Sequence, residues 1–208
     1  MASIPQVVAG AVATAAAQNS LIGQVNANTG QIFGDSSRSV APYCKVCVTA
    51  DTGWQTLPYG PGNGTSGGNR MLNWETEVYD TDNMFAGTGT NSITVPVDGL
   101  YLSQLSLNLA TQTGTVTGAI GVKLLSNTAD PDPAANGGNN VLDTNTAPFN
   151  VAGEGSIIKM TSIVSVAAGT ALRVSAWHNF NNGSGLNVGV WSGFGNRGTA
   201  WAVTYLGK

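Results

Sequence analysis

Few residues in this chain have the type and spacing for chemistry, and each group has a structural alternative. Four carboxylates cluster as Glu75, Glu77, Asp80 and Asp82, and Asp130 and Asp132 follow in a later loop. Calcium takes several such oxygens, but no D-x-D-x-D-G loop is present. The expectation is therefore a solvated or interface-bonded acidic patch, and no metal. On an extended strand Glu75 and Glu77 share a face about 7 Å apart, a spacing compatible with glycoside hydrolysis. Nothing else in the chain supports a sugar cleft. The single histidine, His178, would have to serve any Ser/His/Asp triad, and no Gly-x-Ser-x-Gly elbow accompanies it. Its expected role is structural. Cys44 and Cys47 form one C-x-x-C, too few ligands for a tetrahedral zinc, and an extended chain points them to opposite faces. Two small buried thiols are expected. Gly60 to Gly68 is glycine-rich but lacks the ending of a phosphate loop. The expectation is a non-enzyme with no cofactor.

Composition supports this reading. Of 208 residues, 42% are hydrophobic, enough for a buried core. Only 9% are charged, against an ordinary share of about 25%. Asn, Thr, Ser, Gln and Gly must then supply the polar surface, which suits strands, turns and subunit contacts where burying charge is costly. The net charge is −3 and the 8 basic residues are scattered, so direct nucleic-acid binding is not expected. No apolar run reaches the length of a membrane-spanning helix. The N-terminus resembles a signal segment only loosely, lacking a basic start, and reads as mature protein.

The chain divides into three zones. Residues 1–42 form an arm whose Ala-rich stretch from Ala11 to Val25 is the one helix expected. Val8, Val12, Leu21, Ile22 and Val25 are its candidate docking residues. Residues 43–70 hold a first strand, Tyr43–Thr49, and then a linker loop rich in Gly and Pro. Residues 71–208 read as strand after strand: Leu72–Tyr79, Ser92–Val97, Gly99–Ala110, Thr117–Leu125, Ser156–Val166, Ala171–Asn179 and Thr199–Leu206. In the third of these, Leu100 and Leu102 fall out of phase with Leu105, Leu107 and Leu109, a slip that a β-bulge would produce. Short strands, Gly-rich turns and no later helix predict an all-β sandwich or jelly roll. Loops 60–70, 127–140 and 181–187 are expected to project outward.

The segment Leu72 to Phe85, followed by Ser92-Ile-Thr-Val-Pro-Val-Asp-Gly-Leu-Tyr101, resembles the opening of a C1q/TNF-like jelly roll, with Val95-Pro96, Gly99 and Tyr101 at the matching places. Trp201-Ala-Val-Thr-Tyr-Leu-Gly207 resembles that family's last strand, which returns through the middle of the inner sheet. Trp74-Glu-Thr-Glu-Val-Tyr-Asp-Thr-Asp-Asn-Met84 is similar to phage versions of the domain, found in minor tail, fibre and head-decoration proteins, and Val8 to Asn19 resembles their docking leader. The resemblance implies a homotrimer with aromatics against a threefold axis. Trp177, Phe180, Trp191, Phe194, Trp201 and Tyr205 are the candidates, and the same residues fit an ordinary core. It also implies a virion component, assembled in the host bacterial cytoplasm and partnered by major capsid or tail proteins. The alternative on the same fold is a carbohydrate-binding adhesin that stacks host surface glycans on Trp177 or Trp191.

Overall fold

A computed structural model describes residues 40–48, 55–57, 68–111, 115–133, 139–152, 156–179, 188–190 and 198–208. Twelve strands run through them: β1 (Tyr43–Cys47), β2 (Gln55–Leu57), β3 (Asn69–Met71), β4 (Thr76–Asp80), β5 (Ser92–Thr94), β6 (Gly99–Thr111), β7 (Thr115–Ser126), β8 (Val141–Ala152), β9 (Ser156–Val166), β10 (Ala171–His178), β11 (Val188–Val190) and β12 (Ala200–Gly207). The arm at 1–39, with Val8, Val12, Leu21, Ile22 and Val25, lies outside the described residues.

The strands build two antiparallel sheets, one of seven strands and one of five. In the larger, sheet A, the order is β4-β1-β12-β6-β9. The short pair β11 and β2 continues alongside β6 beyond the end of β12. Sheet B runs β8-β7-β10, with β5 and β3 in line along the other edge of β10. The chain steps between sheets at most connections, as in a jelly roll; β1–β2, β7–β8 and β11–β12 stay within one sheet. β12 lies between β1 and β6, in the middle of sheet A. The segment 43–71 supplies β1, β2 and β3, so the sandwich takes strands from both sides of the glycine-rich loop.

Local chemistry explains where the strands depart from the sequence pattern. Leu72–Tyr79 is not one strand. Leu72 N donates to Val174 O of sheet B, Trp74 bridges Thr90, and only then does β4 join sheet A. The chain crosses between sheets there, because Leu72 and Trp74 must both reach the core. β8 has no counterpart in the sequence reading. Its Asp143, Asn145 and Pro148 are poor strand formers, tolerated because β8 is an edge strand that bonds on one side, to β7. Nor does loop 127–140 project throughout. Residues 127–133 fold back, with Asp132 and Pro133 buried. Asp132 accepts from Lys123 Nζ and from Asn69 Nδ2 (3.0 Å), tying the loop to β7 and β3.

β6 carries no bulge. It pairs with β9 without interruption from Gly99↔Val166 to Leu109↔Ser156, and the one register shift against β12 falls on the other strand, at Leu206. The inward residues are Tyr101, Ser103, Leu105, Leu107 and Leu109; Leu100 is exposed and Leu102 half-buried. The slip in the leucine pattern is a change of face.

The core lies between the sheets. Trp74 and Trp201 stack with ring centroids 5.6 Å apart, and Trp201 Nε1 donates to Ser103 Oγ at 2.9 Å. Tyr101 meets Tyr205 edge-on at 5.2 Å, and Tyr101 Oη donates to Val97 O at 2.9 Å. These contacts give a physical reason for the Pro-x-x-Gly-x-Tyr pattern at 96–101. Gly99 adopts φ +150°, and a Cβ there would stand 2.5 Å from Gly207 O and 2.6 Å from the Tyr205 ring. Gly99→Ala is therefore expected to destabilise the domain by about 1–3 kcal/mol, the scale of overpacking a tight site. Gly87→Ala, also at positive φ but facing open space, loses less. Urea unfolding midpoints of the two variants check the order.

Candidate subunit interface on the open face of sheet A

Asp80, Asp82, Asp130, the cysteines and His178 have structural surroundings. Asp80 Oδ1 accepts from Asp82 N (3.0 Å) and its Oδ2 from Phe85 N (2.8 Å), while Asp82 Oδ2 accepts from Thr81 Oγ1 (2.8 Å). These bonds shape the turn after β4. Asp130 Oδ1 accepts from Asp132 N (2.9 Å). Among the described residues no three His, Cys, Asp or Glu side chains converge to hold a metal ion. Both cysteines are buried and neither is in a disulfide. Burial first, then the nearby Asp80 and Glu77 charges, pushes the Cys44 thiol up to about 12, so it is no nucleophile at neutral pH.

His178 is fully buried, and its Nε2 donates to Leu57 O at 2.9 Å, linking β10 of sheet B to β2 of sheet A. A group closed off from solvent cannot meet a substrate. Burial lowers its pKa below the ordinary 6.5, against a smaller opposing effect of the Leu57 bond. A lowered folded pKa means that the unfolded chain takes the proton more readily. The associated stability is present above pH 6.5 and is lost as pH falls through the folded value. The melting temperature is thus expected to drop on acidification below about pH 6.5, with a smaller drop in His178→Gln. Parallel thermal melts across that range check it.

The aromatic candidates separate. Trp201 and Tyr205 are buried inside a single copy. Inward positions on a two-sided sandwich point at the other sheet, so neither side chain is left to face a neighbour. Trp177 is half-buried on β10, with its indole over Gly121 of the adjacent β7, where no Cβ would fit. It belongs to sheet B. Phe180, Trp191 and Phe194 lie outside the described residues.

A surface that the aromatic count missed is the outer face of sheet A. Strand pairing lays its residues out in rows. Tyr43, Thr204, Leu102 and Ile163 lie side by side across β1, β12, β6 and β9. The next row is Tyr79, Lys45, Ala202, Gln104 and Thr161, and the next Ala200, Ser106 and Lys159. Ala200, Ala202 and Ser106 are short, so the middle of the face sinks into an open depression of about 490 Å³ rimmed by Tyr43, Lys45 and Lys159. The large apolar side chains exposed among the described residues are Val78 and Tyr79 on β4, Leu100 on β6, Ile157 and Ile163 on β9, Leu206 on β12, and Val40 just before β1. Apart from Val40, every one belongs to a strand of sheet A. The sequence did hold a signal for this face: the out-of-phase Leu100 and Leu102.

No family model and no curated protein matches the chain. Among solved structures it is similar to murine APRIL, at 11% identity and a TM-score of 0.51, over 79% of this chain and 98% of that one. The globular domain of zebrafish complement 1qA protein aligns at 11% identity and a TM-score of 0.43, over 79% and 96% of the two chains. Eiger TNF from S. frugiperda aligns at 11% and 0.46, over 80% and 92%. The fold is a C1q/TNF-like jelly-roll sandwich.

Proposed function

We propose that the chain is a structural subunit of a phage particle, a homotrimer whose copies meet through the outer face of sheet A and whose N-terminal arm fastens the assembly to capsid or tail proteins. One observation carries the trimer reading: the exposed large apolar side chains, Val40 aside, gather on the strands of sheet A. A face of this kind marks an interaction surface, and closed symmetric assembly of identical chains is the ordinary way to cover it. Chemistry plays no part in this reading. Burial around an axis holds three copies together, and three arms then engage symmetric sites so that weak contacts multiply. Support for the particle reading comes from the sequence: the phrase Trp74–Met84, the leader at Val8–Asn19, and a charged fraction of 9% that suits a surface occupied by neighbours.

Light scattering of the purified 21.2 kDa chain is expected to give three times that mass at micromolar concentration; a stable monomer refutes the trimer. Ile163 is 64% exposed within one copy, so Ile163→Glu is expected to leave the fold intact by circular dichroism while shifting the mass towards the monomer. Electron cryo-microscopy of intact particles tests the location. Glycan-array binding that vanishes in Trp191→Ala would favour the adhesin instead.

A further inference from the structure

Sheet B carries a buried polar cluster on its outer side, on the far side of the sandwich from sheet A. Val122, Leu124, Val174 and Ala176 belong to the core between the sheets, so Lys123 on β7 and Ser175 on β10 point away from it. These two residues stand opposite each other in the strand register. The fold-back at 127–133 lays Asp132 on this spot, where Lys123 Nζ contacts Asp132 Oδ1. Asn69 Nδ2 of β3 donates to the other carboxyl oxygen, Oδ2, at 3.0 Å. Asp132, Asn69 and Ser175 are buried, as is Leu125, the next outward residue along β7. Only a small part of the Lys123 side chain reaches solvent.

An amine and a carboxyl fixed in contact away from water are the two halves of an amide. Well-oriented groups within one molecule react as though each faced the other at about 10⁵–10⁸ M, and a closed site keeps water from reversing the step. Two further features fit. Asp132 is followed by Pro133, which has no backbone N–H. Cyclisation of the aspartyl carboxyl onto the next residue's amide nitrogen is therefore closed, and Lys123 Nζ is the nucleophile in contact. Ser175 Oγ, beside Lys123, is buried and has no hydrogen-bond partner among the described residues. A buried amide N–H at Lys123 Nζ requires an acceptor, and a serine hydroxyl can serve as one.

We infer that Lys123 and Asp132 join in an intramolecular isopeptide bond, a covalent strap between β7 and the 127–133 loop. Lys123 passes one ammonium proton to Asp132 Oδ1. The neutral Nζ then attacks Cγ, and negative charge develops on Oδ2, where Asn69 Nδ2 already donates. Oδ1 leaves as water with a second proton from Nζ, and one amide N–H remains. No oxidant, reductant or other co-reactant enters the step.

Mass spectrometry of the full chain tests this. The folded protein is expected to weigh one water less than its sequence requires. Lys123→Arg keeps the cation but offers no amine; it is expected to show no such loss while remaining folded by circular dichroism. Trypsin is expected to leave the wild-type chain uncut after Lys123, and the resulting peptide 71–159 to give no backbone fragments between 123 and 132. Asn69→Ala is expected to slow bond formation by about 10²-fold, the scale of one lost oxyanion donor. A folded wild-type chain that keeps its full mass and is cut after Lys123 overturns the proposal. Loss of one ammonia in place of one water, or a link mapped to other positions, overturns it as well.

Discussion

Strand β6 is hydrogen-bonded along both edges, to β9 on one side and to β12 and then β11 on the other. A strand held in this way cannot rotate, and its side chains must alternate between the sandwich interior and the outside. Once Tyr101, Ser103, Leu105, Leu107 and Leu109 point inward, Leu100, Leu102, Gln104 and Ser106 have to point outward. In-register pairing passes the same division to β12 and β9. Ala200, Ala202 and Thr204 fall outside with Ile157, Lys159 and Ile163, while Trp201, Val203, Ile158 and Met160 fall inside. The hydrophobic interior and the apolar outer face are thus two results of one register. A one-residue slip would exchange them.

That register is held by contacts between residues far apart in sequence. Trp74 meets Trp201, and Tyr205 closes over Gly99 and Tyr101. Each aromatic pair contributes on the order of 1 kcal/mol beyond the area it buries, and each locks β12 against elements from the first half of the domain. At one end of the sandwich the His178–Leu57 hydrogen bond joins the two sheets. On the outside of sheet B, Lys123, Asp132 and Asn69 hold the 127–133 loop down. Lys123, Asp132 and His178 are thus used for fastening, while Lys45 and Lys159 stand at the outer face of sheet A.

Much of the fold was legible in the residues. Alternation and turn signals located β6, β7, β9, β10 and β12, and the turn between β9 and β10. The elements that were not legible have two causes. β2 and β11 have 3 residues each, too short for a periodic signal, and β8 hides behind Asp, Asn, Thr and Pro because an edge strand is under little pressure to look like one. The candidate aromatics were chosen by type, and type does not reveal facing. Trp201 and Tyr205 satisfied the interior, whereas less conspicuous residues, Leu100, Ile157 and Ile163, were left outside. The leucine slip in β6 held that information. It was ambiguous in one dimension, since a bulge and a change of face leave the same trace until the partner strands are known.

The placement of β12 has a consequence for biogenesis. Residues 200–207 form the middle of sheet A, yet they are the latest of its strands to be synthesised. During translation β1 and β6 emerge early with no strand to fill the gap between them, and each would present an unsatisfied edge to other nascent chains. Sheet A can close between β1 and β6 only after the segment around Trp201 has been made. A chain that loses those few residues forfeits the keystone of the larger sheet, and the damage is out of all proportion to the length removed.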